Sequence, residues 1–135
     1  MNRLDRVVPI RQALWIEDTD LAPNRDFRDG QAWSFSLKRA EGAGTGTIPA
    51  TTLRSLLDRQ GWNRVDLLKI DIEGGEAPLV RDPDTLAVIA ERVTVLCMEV
   101  HPEAISREEV RQALTSLGMS VAPSGETLIA WHPPK

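Results

Sequence analysis

The fold is decided by the stretch Val65-Asp66-Leu67-Leu68-Lys69-Ile70-Asp71-Ile72-Glu73-Gly74-Gly75-Glu76. Residues 65–71 are mostly apolar and lack clean alternation, which is typical of a parallel strand covered on both faces. Two glycines follow, and glycine permits a tight turn and a close approach of the backbone to a ligand. The stretch therefore predicts a buried strand that ends in a turn suited to a functional site.

The residues before this stretch predict a hairpin and a helix. Residues 7–16 are rich in β-formers, and residues 17–30 are polar and rich in turn formers. Trp33, Phe35 and Leu37 alternate with smaller or polar residues, which predicts one arm of a hairpin whose return strand is 47–49. Next, Thr51 or Thr52 is expected to cap a helix that ends at Gly61.

The residues after the stretch continue the alternation of helices and strands. Helical spacing over residues 85–93 precedes a second apolar strand at 93–100, and a capping box at Ser106 predicts a helix through Leu117. Residues 119–122 and 128–131 are expected to pair as a terminal antiparallel hairpin. We see neither an internal repeat nor a linker, so the sequence predicts one α/β domain over residues 1–135. Open α/β sheets bind ligands at the carboxyl ends of their strands.

The first predicted strand end carries three carboxylates, Asp71, Glu73 and Glu76. Like charges in close proximity raise one another's pKa unless a cation, a donor or solvent compensates, so such clusters often mark sites. We predict Asp71 as a base or substrate anchor, Glu73 as an orienting catalytic residue and Glu76 as a substrate contact. The alternative is that Glu73 and Glu76 cap a short helix and face solvent.

The second strand end carries Glu99 and His101. A histidine there can act as a general base near neutral pH, and the alternative is a surface histidine that opens a turn. Glu99 should share a sheet face with His101, and Lys69 on the neighbouring strand is its available partner if it is buried. We predict Lys69 and Glu99 as substrate contacts. Asp71, Glu73, Glu99 and His101 together also suit a divalent metal, although the sequence alone assigns no metal ligand.

A glycine-rich segment at residues 41–46 imitates a loop that cradles a nucleotide or adenosyl group. Such a loop follows a buried strand and leads directly into a helix, whereas this one follows Lys38, Arg39 and Ala40 and leads into Thr47-Ile48-Pro49. Alternate glycines are also typical of a hairpin tip. The sequence therefore identifies no cofactor-binding residue.

Composition and charge exclude several classes of protein. The chain has 135 residues and a formal net charge of −4, the wrong sign for a general binder of nucleic acid. It has no apolar run of 18 residues and no basic-then-apolar leader, which predicts a cytoplasmic protein without a membrane span. The one cysteine cannot form an internal disulfide.

Two segments together resemble the FkbM family of methyltransferases. Ile48-Pro49-Ala50-Thr51-Thr52-Leu53, followed by Leu56-Leu57, matches the family's threonine-leucine helix start. The stretch 65–76 matches its apolar strand, lysine and acidic strand end, which reads aspartate, any residue, glutamate, glycine, small residue, glutamate. Residues 96–101 look like the family's next strand. The resemblance covers most of residues 6–132.

The resemblance implies a Rossmann-like class I sheet, mostly parallel with a terminal antiparallel hairpin. It implies S-adenosylmethionine as the methyl donor and a hydroxyl of a sugar or secondary metabolite as the acceptor. In this interpretation the chain is the C-terminal portion of the domain, from the third strand to the last. The family's glycine-rich cofactor motif would lie before Arg6, so the resemblance implies a chain without the principal cofactor-binding half.

Two other functions stay open at this point. The chain could be a non-catalytic remnant or the partner-binding half of an enzyme, or a metal-dependent hydrolase that uses the acidic cluster. The first strand of a doubly wound sheet is central, so its absence leaves interior strands without backbone partners. We therefore expect self-association, a complementing chain or an altered strand order.

Overall fold

The computed structural model describes residues 6–24, 36–40 and 46–133, and within these ranges the chain forms eight strands and four helices. The strands are β1 (Ala13–Leu14), β2 (Thr19–Asn24), β3 (Ser36–Arg39), β4 (Ile48–Thr51), β5 (Val65–Ile70), β6 (Val93–Glu99), β7 (Ser120–Ser124) and β8 (Thr127–Trp131). The helices are α1 (Leu53–Gln60), α2 (Glu76–Arg81), α3 (Pro83–Arg92) and α4 (Arg107–Ser116).

The strands form two mixed sheets. The first has the order β1-β4-β2-β3, in which β1 and β4 are parallel and the other neighbours are antiparallel. The second has the order β5-β6-β8-β7, in which only β5 and β6 are parallel. Because the residue after β5 and the residue after β6 lie at the same edge of the second sheet, the topology brings both predicted strand ends together.

Local sequence signals explain where the helices begin and end. The side chain of Thr52 accepts a hydrogen bond from the Ser55 amide at 3.0 Å, and Gly61 ends α1 in the left-handed region with φ of 68°. Ser106 caps α4 in the same way, since its hydroxyl accepts from the Glu109 amide at 3.1 Å. These caps satisfy backbone groups that have no partner inside the helix. The predicted helix boundaries at these positions are therefore confirmed.

The hydrophobic core lies against the second sheet. Leu96 and Met98 of the central strand β6 are fully buried. They belong to the same buried cluster as Val88 and Ile89 of α3 and Val110 and Leu114 of α4. Burial of each such side chain contributes about 1.5 to 3 kcal/mol relative to exposure. This core fixes the directions of β5 and β6, and with them the edge that carries the polar side chains.

Several predictions of the fold are wrong. Within the described ranges, four of the six strand pairings are antiparallel, and the strands form two mixed sheets where one mostly parallel sheet was predicted. β5 is not covered on both faces, since Leu67 is 60% exposed. It is also an edge strand among the described residues, where only β6 pairs with it. Only Ala13–Leu14 of residues 7–16 forms a strand.

The predicted hairpin is also placed differently. β3 pairs with β2, a strand that the turn-rich composition of residues 17–30 concealed, and β4 pairs with β1 and β2. The glycine-rich turn at 41–45 and Trp33 and Phe35 lie outside the described residues. The terminal hairpin, β7 with β8, is confirmed.

Replacing Asp82 by alanine is expected to lower the free energy of unfolding by about 0.5 to 2 kcal/mol. Asp82 caps α3, where its Oδ2 accepts from the amide of Thr85 at 2.8 Å and from its hydroxyl at 2.7 Å. Denaturant titration measures the change. Asp66→Ala is the matched control, because the Asp66 side chain is 93% exposed and meets Arg64 only at 3.5 Å. Equal losses in both variants would contradict the capping role.

Candidate functional site

The polar side chains of both strand ends converge at one edge of the second sheet. Ile70 pairs with Met98, so the residues that follow lie next to one another. One oxygen of Asp71, one oxygen of Glu99 and a ring nitrogen of His101 all lie within 4.8 Å of one another. The sequence prediction that these residues meet at a carboxyl edge agrees with this arrangement.

His101 is held by a buried carboxylate. Its Nδ1 lies 2.8 Å from Oε1 of Glu76, and the side chains of the two residues are 6% and 0% exposed. The Ile72 amide also donates to Oε1 of Glu76, at 3.3 Å. When Nδ1–H donates to the carboxylate, the lone pair of the neutral ring lies on Nε2. The pair therefore fixes both the orientation of the ring and its tautomer.

Nε2 of His101 faces further carboxylates. It lies 3.5 Å from Oε2 of Glu73 and 3.9 Å from Oε1 of Glu99, which are ion-pair distances when the ring is protonated. Both are longer than an ordinary hydrogen bond. The free side of the imidazole is therefore directed toward an acidic environment.

The turn that carries Glu73 has an unusual backbone. Glu73 has φ of 47°, and it is the one non-glycine residue with positive φ among the described residues. Gly74 follows with φ of 89°. A left-handed conformation costs a non-glycine residue about 1 to 2 kcal/mol, and such residues cluster at functional sites. The predicted tight turn is confirmed, and its strain lies on a carboxylate residue.

Asp71 is the exposed part of the site and is paired with a lysine. Nζ of Lys69 donates to Oδ2 of Asp71 at 2.9 Å. This hydrogen bond lowers the pKa of the Asp71 carboxyl and raises that of the Lys69 ammonium, and Glu99 and His101 contribute less to the lowered pKa of Asp71. The side chain of Asp71 is therefore ionised over the whole neutral range. A pairing of Glu99 with Lys69 is expected only for a buried Glu99, whereas the Glu99 side chain is 28% exposed and Lys69 bonds Asp71, the residue after β5.

Two cavities meet at Glu73. An apolar cavity of about 500 Å³ lies between the two sheets, and its lining includes Leu14, Trp15, Leu68 and Ile72. A polar cavity of about 390 Å³ lies beyond the carboxyl edge. Glu73 lines both cavities, and His101, Glu99, Glu103, Arg107 and Glu126 line the polar one. Both volumes fall in the range of small-molecule sites.

The structure changes the role predicted for one residue and adds others. Glu76 is fully buried behind His101, so it reaches a ligand only through the imidazole and is a positioning residue rather than a substrate contact. The alternative that it faces solvent is wrong. Sequence reasoning missed Arg107 and Glu126, which come from α4 and the terminal turn. Nothing in their local sequence sets them apart from other surface charges.

Two mixed sheets and four helices define a small α/β protein, and its carboxylates and histidine gather at the carboxyl ends of two parallel strands. Residues 10–121 of the 135 match the FkbM methyltransferase domain, so the chain belongs to that family. No curated protein and no solved structure matches it. None of the described helices has the length and apolar character needed to cross a membrane.

Proposed function

We propose that the chain contributes to an S-adenosylmethionine-dependent methyltransferase that methylates a hydroxyl of a sugar or secondary metabolite. The proposal rests on one observation: Glu73 lines both the apolar cavity and the polar cavity. An apolar cavity beside an acidic polar cavity suits a donor and an acceptor that must approach each other. The family match supports methyl transfer as the reaction.

The apolar cavity is the proposed place for the donor. Its size and lining suit an adenine ring and an aliphatic chain, and Glu73 places a carboxylate at the end that adjoins the polar cavity. S-adenosylmethionine supplies an electrophilic methyl group on a cationic sulfonium. A carboxylate favours a nearby cation, so Glu73 fits the charge of that group. The proposal does not include a glycine-rich loop around the nucleoside, because the glycine-rich segment at residues 41–46 leads into β4 and not into a helix.

The acceptor is proposed to bind in the polar cavity. His101 presents Nε2 toward it, and Glu76 holds the ring so that this nitrogen carries the lone pair. Nε2 is therefore placed to receive the proton of an acceptor hydroxyl, and a positioned base typically contributes 10²- to 10⁴-fold to the rate, in order-of-magnitude terms. Asp71, Lys69 and Glu99 are proposed to anchor other hydroxyls through hydrogen bonds.

Transfer of a labelled methyl group tests the function. The full chain is incubated with S-adenosylmethionine carrying a tritiated methyl group and a panel of monosaccharides and hydroxylated aromatic compounds. We expect the label in a product that survives mild alkali, as an ether does and a methyl ester does not. Binding without transfer to any acceptor, or no binding at all, would favour a non-catalytic remnant.

Replacing Glu73 by glutamine is expected to weaken binding of S-adenosylmethionine about fivefold and to leave binding of S-adenosylhomocysteine unchanged. The first compound is a sulfonium cation and the second a neutral thioether, and a charge pair near a protein surface contributes about 1 kcal/mol or more. Calorimetric titration of both compounds measures the difference. Glu126→Gln, which removes a carboxylate from the polar cavity alone, is the control. Equal weakening for both ligands would remove Glu73 from the donor site.

The predicted self-association remains part of the proposal. β6 is the one described strand that pairs with β5, and Leu67 is largely exposed on β5. An unpaired strand edge is a template for another chain. Sedimentation velocity over a range of concentrations tests this, and a monomer at every concentration would contradict self-association.

A further inference from the structure

We propose that Asp71, Glu99 and His101 form a binding site for one divalent cation of the first transition row, for which Mn²⁺ is the probe. The three residues come from the ends of two adjacent parallel strands, and their donor atoms lie within 4.8 Å of one another. Binding of the cation needs neither a methyl donor nor an acceptor, so this inference goes beyond the proposed function.

The strongest support for the cation site is the orientation of His101. Its side chain is only 6% exposed, Nδ1 is taken by the buried carboxylate of Glu76, and Nε2 is directed at the carboxylates. Histidines that ligate metals usually donate their other ring N–H to a carboxylate or carbonyl, which fixes the tautomer and raises the basicity of the ligating nitrogen. Glu76 has this relation to His101, and a surface histidine that merely opens a turn would need no buried partner.

The charge of the edge also favours a cation. Asp71, Glu73, Glu76 and Glu99 contribute four carboxyl groups, whereas the cations nearby are Lys69, which bonds Asp71, and Arg107, which bonds the Gly125 carbonyl. A bound divalent cation would balance this charge better than these two side chains alone.

The donor set suits the proposed class of metal. Two carboxylates and one imidazole combine the ligand types preferred by Mn²⁺ with those preferred by later first-row metals. At bond lengths of about 2.1 Å, adjacent ligands of an octahedral cation lie about 3 Å apart. Nε2 of His101 and Oε1 of Glu99 are 3.9 Å apart, so rotation of the partly exposed Asp71 and Glu99 side chains would close the site. The adjoining polar cavity leaves room for water or a hydroxyl ligand.

Titration of the full chain with Mn²⁺, followed by electron paramagnetic resonance of the free ion, tests the site. We expect one bound Mn²⁺ per chain. Asp71→Asn, Glu99→Gln and His101→Gln should each weaken binding at least about tenfold, and Glu76→Gln should weaken it about 10- to 100-fold through loss of ligand orientation. Glu126→Gln removes a carboxylate from the same cavity and should leave the affinity unchanged.

The inference would be overturned if Mn²⁺ showed no saturable binding at millimolar concentration. It would also be overturned if Glu126→Gln and Glu99→Gln weakened binding equally, because that result would mean a diffuse acidic surface. Unfolding curves establish that each variant is folded. If His101→Gln or Glu76→Gln fails to fold, Asp71→Asn and Glu99→Gln still test the site. We expect these two variants to fold, because the Asp71 and Glu99 side chains are 34% and 28% exposed. Mn²⁺ binding without methyl transfer would contradict the proposed function alone, and methyl transfer without Mn²⁺ binding would contradict this inference alone.

Discussion

Replacing His101 by glutamine is expected to lower the rate of methyl transfer by roughly 10²- to 10⁴-fold, the contribution of a positioned general base. Glutamine keeps a polar side chain of similar reach but has no nitrogen lone pair comparable to Nε2. The His101 side chain is 6% exposed; its Nδ1 lies against Glu76, and the residue is part of the lining of the polar cavity. A loss of this size is expected whether Nε2 takes the hydroxyl proton itself or ligates the proposed cation.

The rate is measured with the tritiated donor and the acceptor identified in the panel, by comparing initial rates at saturating donor. His132→Gln, at the only other histidine of the chain, is the matched control and should keep the rate. The Mn²⁺ titration of His101→Gln then separates the two roles, since loss of a general base that does not ligate the cation would leave the affinity for Mn²⁺ unchanged. A decrease smaller than about tenfold would mean that His101 does not act in the chemical step.

Replacing Glu76 by alanine is expected to lower the free energy of unfolding by roughly 2 to 5 kcal/mol, the combined cost of an unpaired buried donor and a cavity. The substitution leaves Nδ1 of His101 buried without its acceptor and removes the acceptor of the Ile72 amide. It also opens a cavity, because Glu76 has no exposed surface. A domain is typically stable by only 5 to 15 kcal/mol, roughly, so this one change is a large part of the total.

Denaturant titration measures the loss, and Glu76→Gln serves as a second variant if the alanine variant does not fold. The amide conserves volume and can still accept from Nδ1–H, so its cost should be near 1 kcal/mol. Glu109→Ala is the control, because Glu109 bonds Arg81 at 2.7 Å on the surface, and exposed pairs contribute about 0 to 1 kcal/mol. Equal losses for Glu76→Ala and Glu109→Ala would contradict a structural role for the buried pair.

The sequence predicts that the two polar strand ends meet, because their placement depends on local rules. Two apolar runs of strand length, each followed by charged residues, bring Asp71 and His101 to one edge once the strands are parallel neighbours. The caps at Thr52 and Ser106 likewise depend on hydrogen bonds within three residues. Short-range chemistry of this kind can be predicted from one sequence.

The sequence predicts strand partners and burial less well, because these depend on residues far apart in the chain. β2 is turn-rich in composition and becomes a strand through pairing with β3 and β4. The lack of alternation in residues 65–70 predicted burial of β5 on both faces, yet Leu67 is exposed. The edge of β5 opposite β6 pairs with no described strand. The burial of Glu76 is also a tertiary effect, since its partner His101 lies 25 positions away.

The position of bound S-adenosylhomocysteine in a crystal structure of the full chain tests the central claim most directly. We expect the nucleoside in the apolar cavity between the sheets and the thioether sulfur beside Glu73, facing the polar cavity of His101. Ligand density on another face of the molecule, or an apolar cavity still empty at saturating ligand, would contradict the assignment of donor and acceptor to these two cavities.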